Sequence, residues 1–302
     1  MRKFIILFFI SAFLKSAYAQ PRVSFTFDDP EPCSRAGYDW KVWNGKILNT
    51  LKQFNLQAVL FTCGKRINDS TGQQLLALWN DAGHLIANHS YSHLYFNSSK
   101  ISLDTFEKDV LKCDSLICRY SNYIKLFRFP YLKEGNTACK RDSFRLFLKK
   151  YFYKNGYVTI DASDWYICDR LQKRLKENSK ADTDAYKKFY LQHIFERAEF
   201  YEKLSFELTG RHINHTLLLH HNLTSALFLD DLVKMFKEKG WEVIGAGEAY
   251  KDEIYNQEPL ILPAGESLVW ALAKQSGKYD SILRYPGEDG DYEKEKMDKL
   301  GL

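Results

Sequence analysis

Beyond its first twenty residues the sequence has no second apolar segment, no Cys-x-x-Cys pair, no basic stripe, and no internal repeat or low-complexity tract. Each absence closes a class. Without a further apolar run, no transmembrane segment is expected once the leader is removed, and the chain reads as exported and soluble. Without Cys-x-x-Cys, the six cysteines Cys33, Cys63, Cys113, Cys118, Cys139 and Cys168 do not form a thiolate zinc site. In an oxidising compartment they are structural or free, and their pairing stays open. Lys and Arg alternate with Asp and Glu along the expected helix faces, so no nucleic-acid partner is implied.

What is present begins with a leader. Arg2-Lys3 is a positive start, Phe4–Leu14 is an apolar stretch short for a bilayer, and Ala17-Tyr18-Ala19 is a small-x-small cleavage site. Residues 1–19 therefore read as a signal peptide cut before Gln20, giving a secreted or periplasmic protein. Arg2, Lys3 and Lys15 lie in the removed part and no acid does, so the net charge of +5 falls by three to +2.

Seven short runs have the β-branched and aromatic character of strands: Val23–Phe27, Gln57–Phe61, His84–Asn88, Lys125–Phe129, Tyr157–Asp161, Thr216–His220 and Trp241–Gly245. Helical spacing of apolar residues falls between most of them, over Gly45–Phe54, Gly72–Ala82, Leu103–Tyr120, Asp142–Lys154 and Ala226–Lys239. Such alternation predicts an α/β fold on a parallel sheet, either a closed barrel or an open doubly wound sheet. A charged helical stretch, Leu171–Leu208, reads as an insertion (about 166–210) on the barrel flank. Residues 20–250 then form one domain, and 251–302 an extension of irregular wrapping with a solvated charged end, Glu293–Lys299.

Reactive side chains gather at the ends of the expected strands. Asp28 and Asp29 follow the first, His89 and His93 the third, Arg128 ends the fourth, Asp161 and Asp164 follow the fifth, and His220 ends the sixth. In parallel α/β folds those ends share one mouth. One Asp with two neutral imidazoles is a ligand set that leaves positions open for water and substrate, as a hydrolase requires. The metal would lower the pKa of water from about 16 to about 7, worth about 12 kcal/mol in making hydroxide at neutral pH. His89 and His93, four apart, suit one ion if the chain there turns helically. Arg128 would hold a carboxylate ionised. His220 or His221 would be the general acid, with Asp164 or Asp161 as its partner. His212 and His215 read as surface or loop residues. An Asn-x-Ser sequon at Asn88-His89-Ser90 sits beside a metal ligand, where a glycan would block the site.

The whole pattern resembles the polysaccharide deacetylases of the NodB-homology type, carbohydrate esterase family 4. The resemblance covers about Arg22 to Tyr250 and rests on Thr26-Phe27-Asp28-Asp29, His89-Ser90-Tyr91-Ser92-His93, Arg128-Phe129-Pro130-Tyr131, Asp161-Ala162-Ser163-Asp164-Trp165 and Leu218-Leu219-His220, five motifs in order. It implies a distorted (β/α)7 barrel. By position it implies Asp29, His89 and His93 as metal ligands, with Zn2+ the expected cation and Co2+ the alternative. Asp28 becomes the general base on the water held by the metal, Arg128 orients Asp28, His220 is the acid and Asp164 its partner. The main-chain N–H of Tyr131 joins the oxyanion hole, and Trp165, with Tyr131, walls the sugar site. The expected activity is removal of N-acetyl groups from an amino-sugar glycan. The rivals are an O-acetyl esterase of the xylan type, a catalytically silent glycan-binding protein, and an amidase acting on a small nitrogenous compound.

Overall fold

The computed structural model describes residues 20–302. The expected leader lies outside the described residues. Strand β1 (Arg22–Asp28) is central, and its side chains sort by parity. Val23, Phe25 and Phe27 face outward, where Phe25 meets Phe236 and Phe27 meets Trp79 edge-on. Ser24, Thr26 and Asp28 face the other way, into the barrel, where Arg128 Nη1 reaches both the Thr26 hydroxyl at 3.0 Å and Asp28.

On one side β1 pairs in parallel with β2 (Val59–Thr62), then β3 (Leu85–Asn88) and β4 (Tyr123–Phe127). A short β5 (Lys133–Gly135) leaves the barrel, and β6 (Lys154–Asn155) returns to pair with β4. On its other side β1 pairs along its whole length with β7 (Asn214–His220), while β8 (Glu242–Val243) joins β1 below the start of β2. Six of the seven expected strands overlap strands of the main sheet. The fifth is the most distorted. Instead of a strand over Tyr157–Asp161 the ladder covers only Lys154–Asn155, and the chain reaches β7 through a single bridge from Ile160 to Leu217. Gly156 is the point of close approach, since a Cβ there would stand 2.5 Å from the Phe61 ring.

Outer helices follow the expected order: α1 (Trp40–Gln53), α2 (Ser70–Asp81), α3 (Leu103–Ile117) and α4 (Ala138–Lys150), started by the capping side chains of Asp39, Asp69, Ser102 and Thr137. The insertion is two helices, α5 (Asp164–Glu177) and the long α6 (Asp184–Thr209). Helix α6 buries Tyr190, Ile194, Ala198 and Tyr201 against the rest of the domain. Helix α7 (Leu223–Glu238) packs on α1 and α6, and a short α8 (Ala246–Ala249) follows β8.

The C-terminal extension corrects the expectation of irregular wrapping. Strand β9 (Ala264–Gly265) pairs antiparallel with β5, and α9 (Leu268–Ser276) buries Leu268, Val269 and Trp270. The charged end is helix α10 (Asp291–Lys299), with Glu293 and Met297 fully buried one turn apart. Its charge density had masked a two-residue apolar and ion-paired stripe. All six cysteines are free thiols, three of them buried. Among the described residues no helix is long and apolar enough to cross a membrane.

Candidate active site

Parity along β1 and β7 builds the centre of the mouth. Asp28 and His220 are register partners on these adjacent strands, and both belong to the inward set. His221 belongs to the outward set. It lies between Trp43 and Trp79, with Nε2 on Asn44 Oδ1 at 2.8 Å, and burial there pushes it down to about 3. The structure therefore separates the two histidines that the sequence reading left open: His220 faces the site and His221 is a core residue.

His220 is held by Asp164, from the first turn of α5. Its Nδ1 lies 2.6 Å from Asp164 Oδ1, and its main-chain N–H donates to Asp164 Oδ2 at 2.9 Å. Asn222, which caps α7, donates to the same oxygen at 3.0 Å. Burial alone would lower the pKa of His220, but the Asp164 carboxylate, joined by the charges of Asp28 and Asp29, outweighs it and pushes the imidazole up to about 9. Asp161, the other open partner, does not touch His220 by a hydrogen bond. Burial raises it to about 7, against the pull of Lys133.

Asp28 is 2% exposed and is bound by an equally buried Arg128, whose Nη1 stands 2.5 Å from Oδ1. The guanidinium is fixed on every edge. Nε donates to Gly156 O at 2.9 Å, Nη2 to the Tyr250 hydroxyl at 3.0 Å, and the plane lies 3.8 Å over the Phe61 ring. Burial raises the Asp28 carboxyl above its ordinary range, and Arg128 opposes that without cancelling it. Tyr250, at the end of the barrel, was missed by sequence reasoning because a lone tyrosine after a short helix carries no motif.

Asp29 turns off the strand at φ 58° and meets His89 and His93, with one donor atom of each within 4.8 Å of the others. The loop carrying the histidines is not the helical turn expected from their spacing. Ser90 (φ 65°) and His93 (φ 56°) are left-handed, and side chains replace helical hydrogen bonding. Asn88 Oδ1 accepts the Ser90 N–H at 2.8 Å, Asp109 accepts those of Tyr91 and Ser92 at 3.0 and 2.8 Å, and Ser90 Oγ accepts that of His93 at 3.1 Å. The same network buries Asn88 completely, with its amide donating to Val110 O and Tyr153, so the sequon is closed to a glycan in the folded chain.

The donor set fits a divalent cation. His89 Nδ1 faces Arg128 O at 2.8 Å, so the proton sits there and Nε2 keeps its lone pair. Burial pushes His89 down to about 3 and lowers His93 as well, so both rings are neutral. Asp29 Oδ2 lies 3.3 Å from His93 Nε2, while Oδ1 is buried with no hydrogen-bond partner. An orphaned carboxylate oxygen beside two neutral imidazoles is an arrangement that a cation completes.

Tyr131 borders this cluster. Its backbone is left-handed at φ 57°, its ring packs 4.6 Å from that of His93, and it is 56% exposed. Trp165 is 40% exposed rather than a core residue, and with Tyr166 and the Asp289–Asp291 stretch of the extension it lines an open cavity of about 330 Å3. Contrary to the surface reading, His215 is buried on the outer face of β7, with Nε2 on Glu202 at 2.8 Å, and His212 bonds the same carboxylate. His193, Glu288 and Glu293 form a second cluster of potential ligands. Arg197 and Arg284 already pair with its carboxylates, so it is an ion-pair network fastening α10 to α6.

A family model described as polysaccharide deacetylase matches residues 15–144. A peptidoglycan-N-acetylglucosamine deacetylase from Bacillus cereus is 32% identical over 115 residues, a stretch that spans 38% of this chain and 38% of that protein. Among solved structures, a mutant CE4 family pseudoenzyme with restored enzymatic activity aligns with a TM-score of 0.54 at 20% identity, over 76% of this chain and 68% of that one. The unmodified pseudoenzyme is from Bacillus anthracis. The chitin deacetylase of Colletotrichum lindemuthianum aligns with a TM-score of 0.51 at 21% identity, over 77% and 88%. These likenesses establish a shared fold, the curled parallel sheet of the (β/α)7 barrel. Residues 15–144 are thus similar to polysaccharide deacetylases, and the chain shares its fold with solved structures of carbohydrate esterase family 4.

Proposed function

We propose that the protein is an exported, divalent-metal-dependent deacetylase that hydrolyses N-acetyl groups of an amino-sugar glycan. The observation that carries this reading is the register pairing of Asp28 with His220 at one mouth, beside the Asp29–His89–His93 cluster. A carboxylate base and an imidazolium acid facing one pocket are what amide hydrolysis needs, because an amine leaves only when protonated. A divalent cation, Zn2+ or Co2+, held by Asp29, His89 and His93 would supply Lewis acidity and a lowered pKa for water.

The chain's own groups supply the rest. Asp28, its carboxylate aimed by Arg128, takes the proton from the attacking water. His220, kept protonated by Asp164, delivers a proton to the departing nitrogen. The Tyr131 N–H donates to the developing oxyanion, an interaction typically worth about 3 kcal/mol. Trp165, exposed beside Asp164, offers a flat face to a sugar ring. The demand on His220 favours the amide over the ester, since an alkoxide leaves with less protonation. Export rests on the leader features of residues 1–19. The reading is tested by metal-stripped protein regaining acetate release from N-acetylglucosamine oligomers when Zn2+ or Co2+ is added. Continued release without metal would refute the dependence.

A further inference from the structure

Two consecutive non-glycine residues of the Tyr131 turn are left-handed, Tyr131 at φ 57° and Leu132 at φ 55°. Such backbone is costly for L-residues and persists only where the surroundings enforce it. Within the turn, Leu132 N–H donates to Phe129 O at 3.0 Å and Lys133 N–H to Pro130 O. The remaining restraint comes from the C-terminal extension. Glu266 N–H donates to Leu132 O at 2.9 Å. Gly265, at φ 128°, passes so close that a Cβ would stand 2.0 Å from that oxygen, so only glycine lets the two backbones meet. The Glu266 carboxylate pairs with Lys133 in a buried contact and accepts the Gly287 N–H at 2.9 Å. Two residues further on, Leu268 N–H donates to Val158 O at 2.7 Å, which ties the same segment to the stretch leading to Asp161.

We propose that Gly265 and Glu266 are positioning residues for the deacetylation, clamping the Tyr131–Leu132 turn so that the Tyr131 N–H is held where the oxyanion forms. The proposal rests on the deacetylase reading above and adds to it a part supplied from beyond the matched family segment. Neither residue meets substrate; both act through the turn.

The test uses the full chain with Glu266→Gln, Gly265→Ala and the double variant Lys133→Gln/Glu266→Gln. Glu266→Gln keeps the main-chain bonds but removes the paired counter-charge of Lys133 and leaves only the more distant Asp161 and Asp289 to offset it, whereas the double variant removes both charges of the pair together. The clamp predicts that kcat of the two single variants falls about tenfold to a hundredfold, the scale set by a misplaced catalytic group. KM and cobalt-binding stoichiometry stay at the wild-type values, and the double variant recovers most of the loss. Amide hydrogen exchange over residues 127–136 speeds up in the single variants. If Gly265→Ala does not fold, Glu266→Gln decides alone. Unchanged kcat with unchanged exchange overturns the clamp, as does a parallel fall of kcat, cobalt binding and melting temperature. Should the wild-type chain release acetate from no substrate, the deacetylase reading fails, while the exchange measurement still decides whether the extension holds the turn.

Discussion

Arg128 Nη1 donates to Asp28 Oδ1 at 2.5 Å, and both side chains are closed to solvent. A buried pair of this kind is maintained by its own completeness, because removing either partner strands the other charge. Arg128→Met is expected to cost about 3–5 kcal/mol of stability, read as a lowered denaturant midpoint. Asp28→Asn removes the base and is expected to lower kcat by about 100-fold to 10,000-fold, with cobalt binding retained. Loss of cobalt binding in Asp28→Asn would mean that Asp28 is a ligand and not the base.

The His220–Asp164 pair sets an upper limit on pH. With His220 raised from 6.5 to about 9, the imidazolium persists through neutrality. Its contribution to stability is complete below the unfolded value and is lost as pH rises through about 9. The alkaline limb of kcat/KM is expected near that value, and Asp164→Asn is expected to move it toward lower pH. His221→Phe is expected to leave the limb in place. A limb that follows His221 and ignores Asp164 would reverse the assignment.

Metal binding should follow the three clustered donors. His93→Ala or Asp29→Asn is expected to weaken Co2+ binding by more than about 100-fold, the upper end of what loss of a mere supporting partner costs. Titration of the visible cobalt band checks this without any turnover. Equal affinity in the variants would place the ion elsewhere.

Trp165 stands free at the rim, beside the cavity it shares with the extension. If it binds sugar equally in ground and transition states, Trp165→Ala raises KM severalfold for oligomeric substrates and leaves kcat unchanged. A drop in kcat at constant KM would show it acting on the chemistry instead.

How far the sequence carried the reading depends on what each residue's signal was made of. Strand β1 was legible because Val23, Phe25 and Phe27 are β-branched or aromatic and alternate with smaller polar residues, and the site was legible because its groups end different strands. The fifth strand was misplaced, after Lys154–Asn155 instead of over it, because the apolar character of Tyr157–Ile160 reflects burial and not ladder pairing. The His220 and His221 alternatives were decidable by parity with Thr216, a signal present in the sequence. Tyr250, Asn222 and Asn44 each contribute one polar group from a separate segment, and no spacing rule reaches them. In α10 the nearer partners of Glu293, Arg284 and His193, come from elsewhere in the chain, and its one local partner, Lys296, looks like an ordinary surface pair, so the burial was not marked locally.

The central claim is a metal-dependent amide hydrolase with Asp28 as its base. It is met most directly by measuring acetate released from N-acetylglucosamine oligomers and from acetylated xylan, by wild type and Asp28→Asn, with and without Zn2+. The account predicts release from the amino sugar that requires Zn2+ and vanishes in Asp28→Asn. Release from the xylan ester alone, or release from the amino sugar that survives in Asp28→Asn, would contradict it.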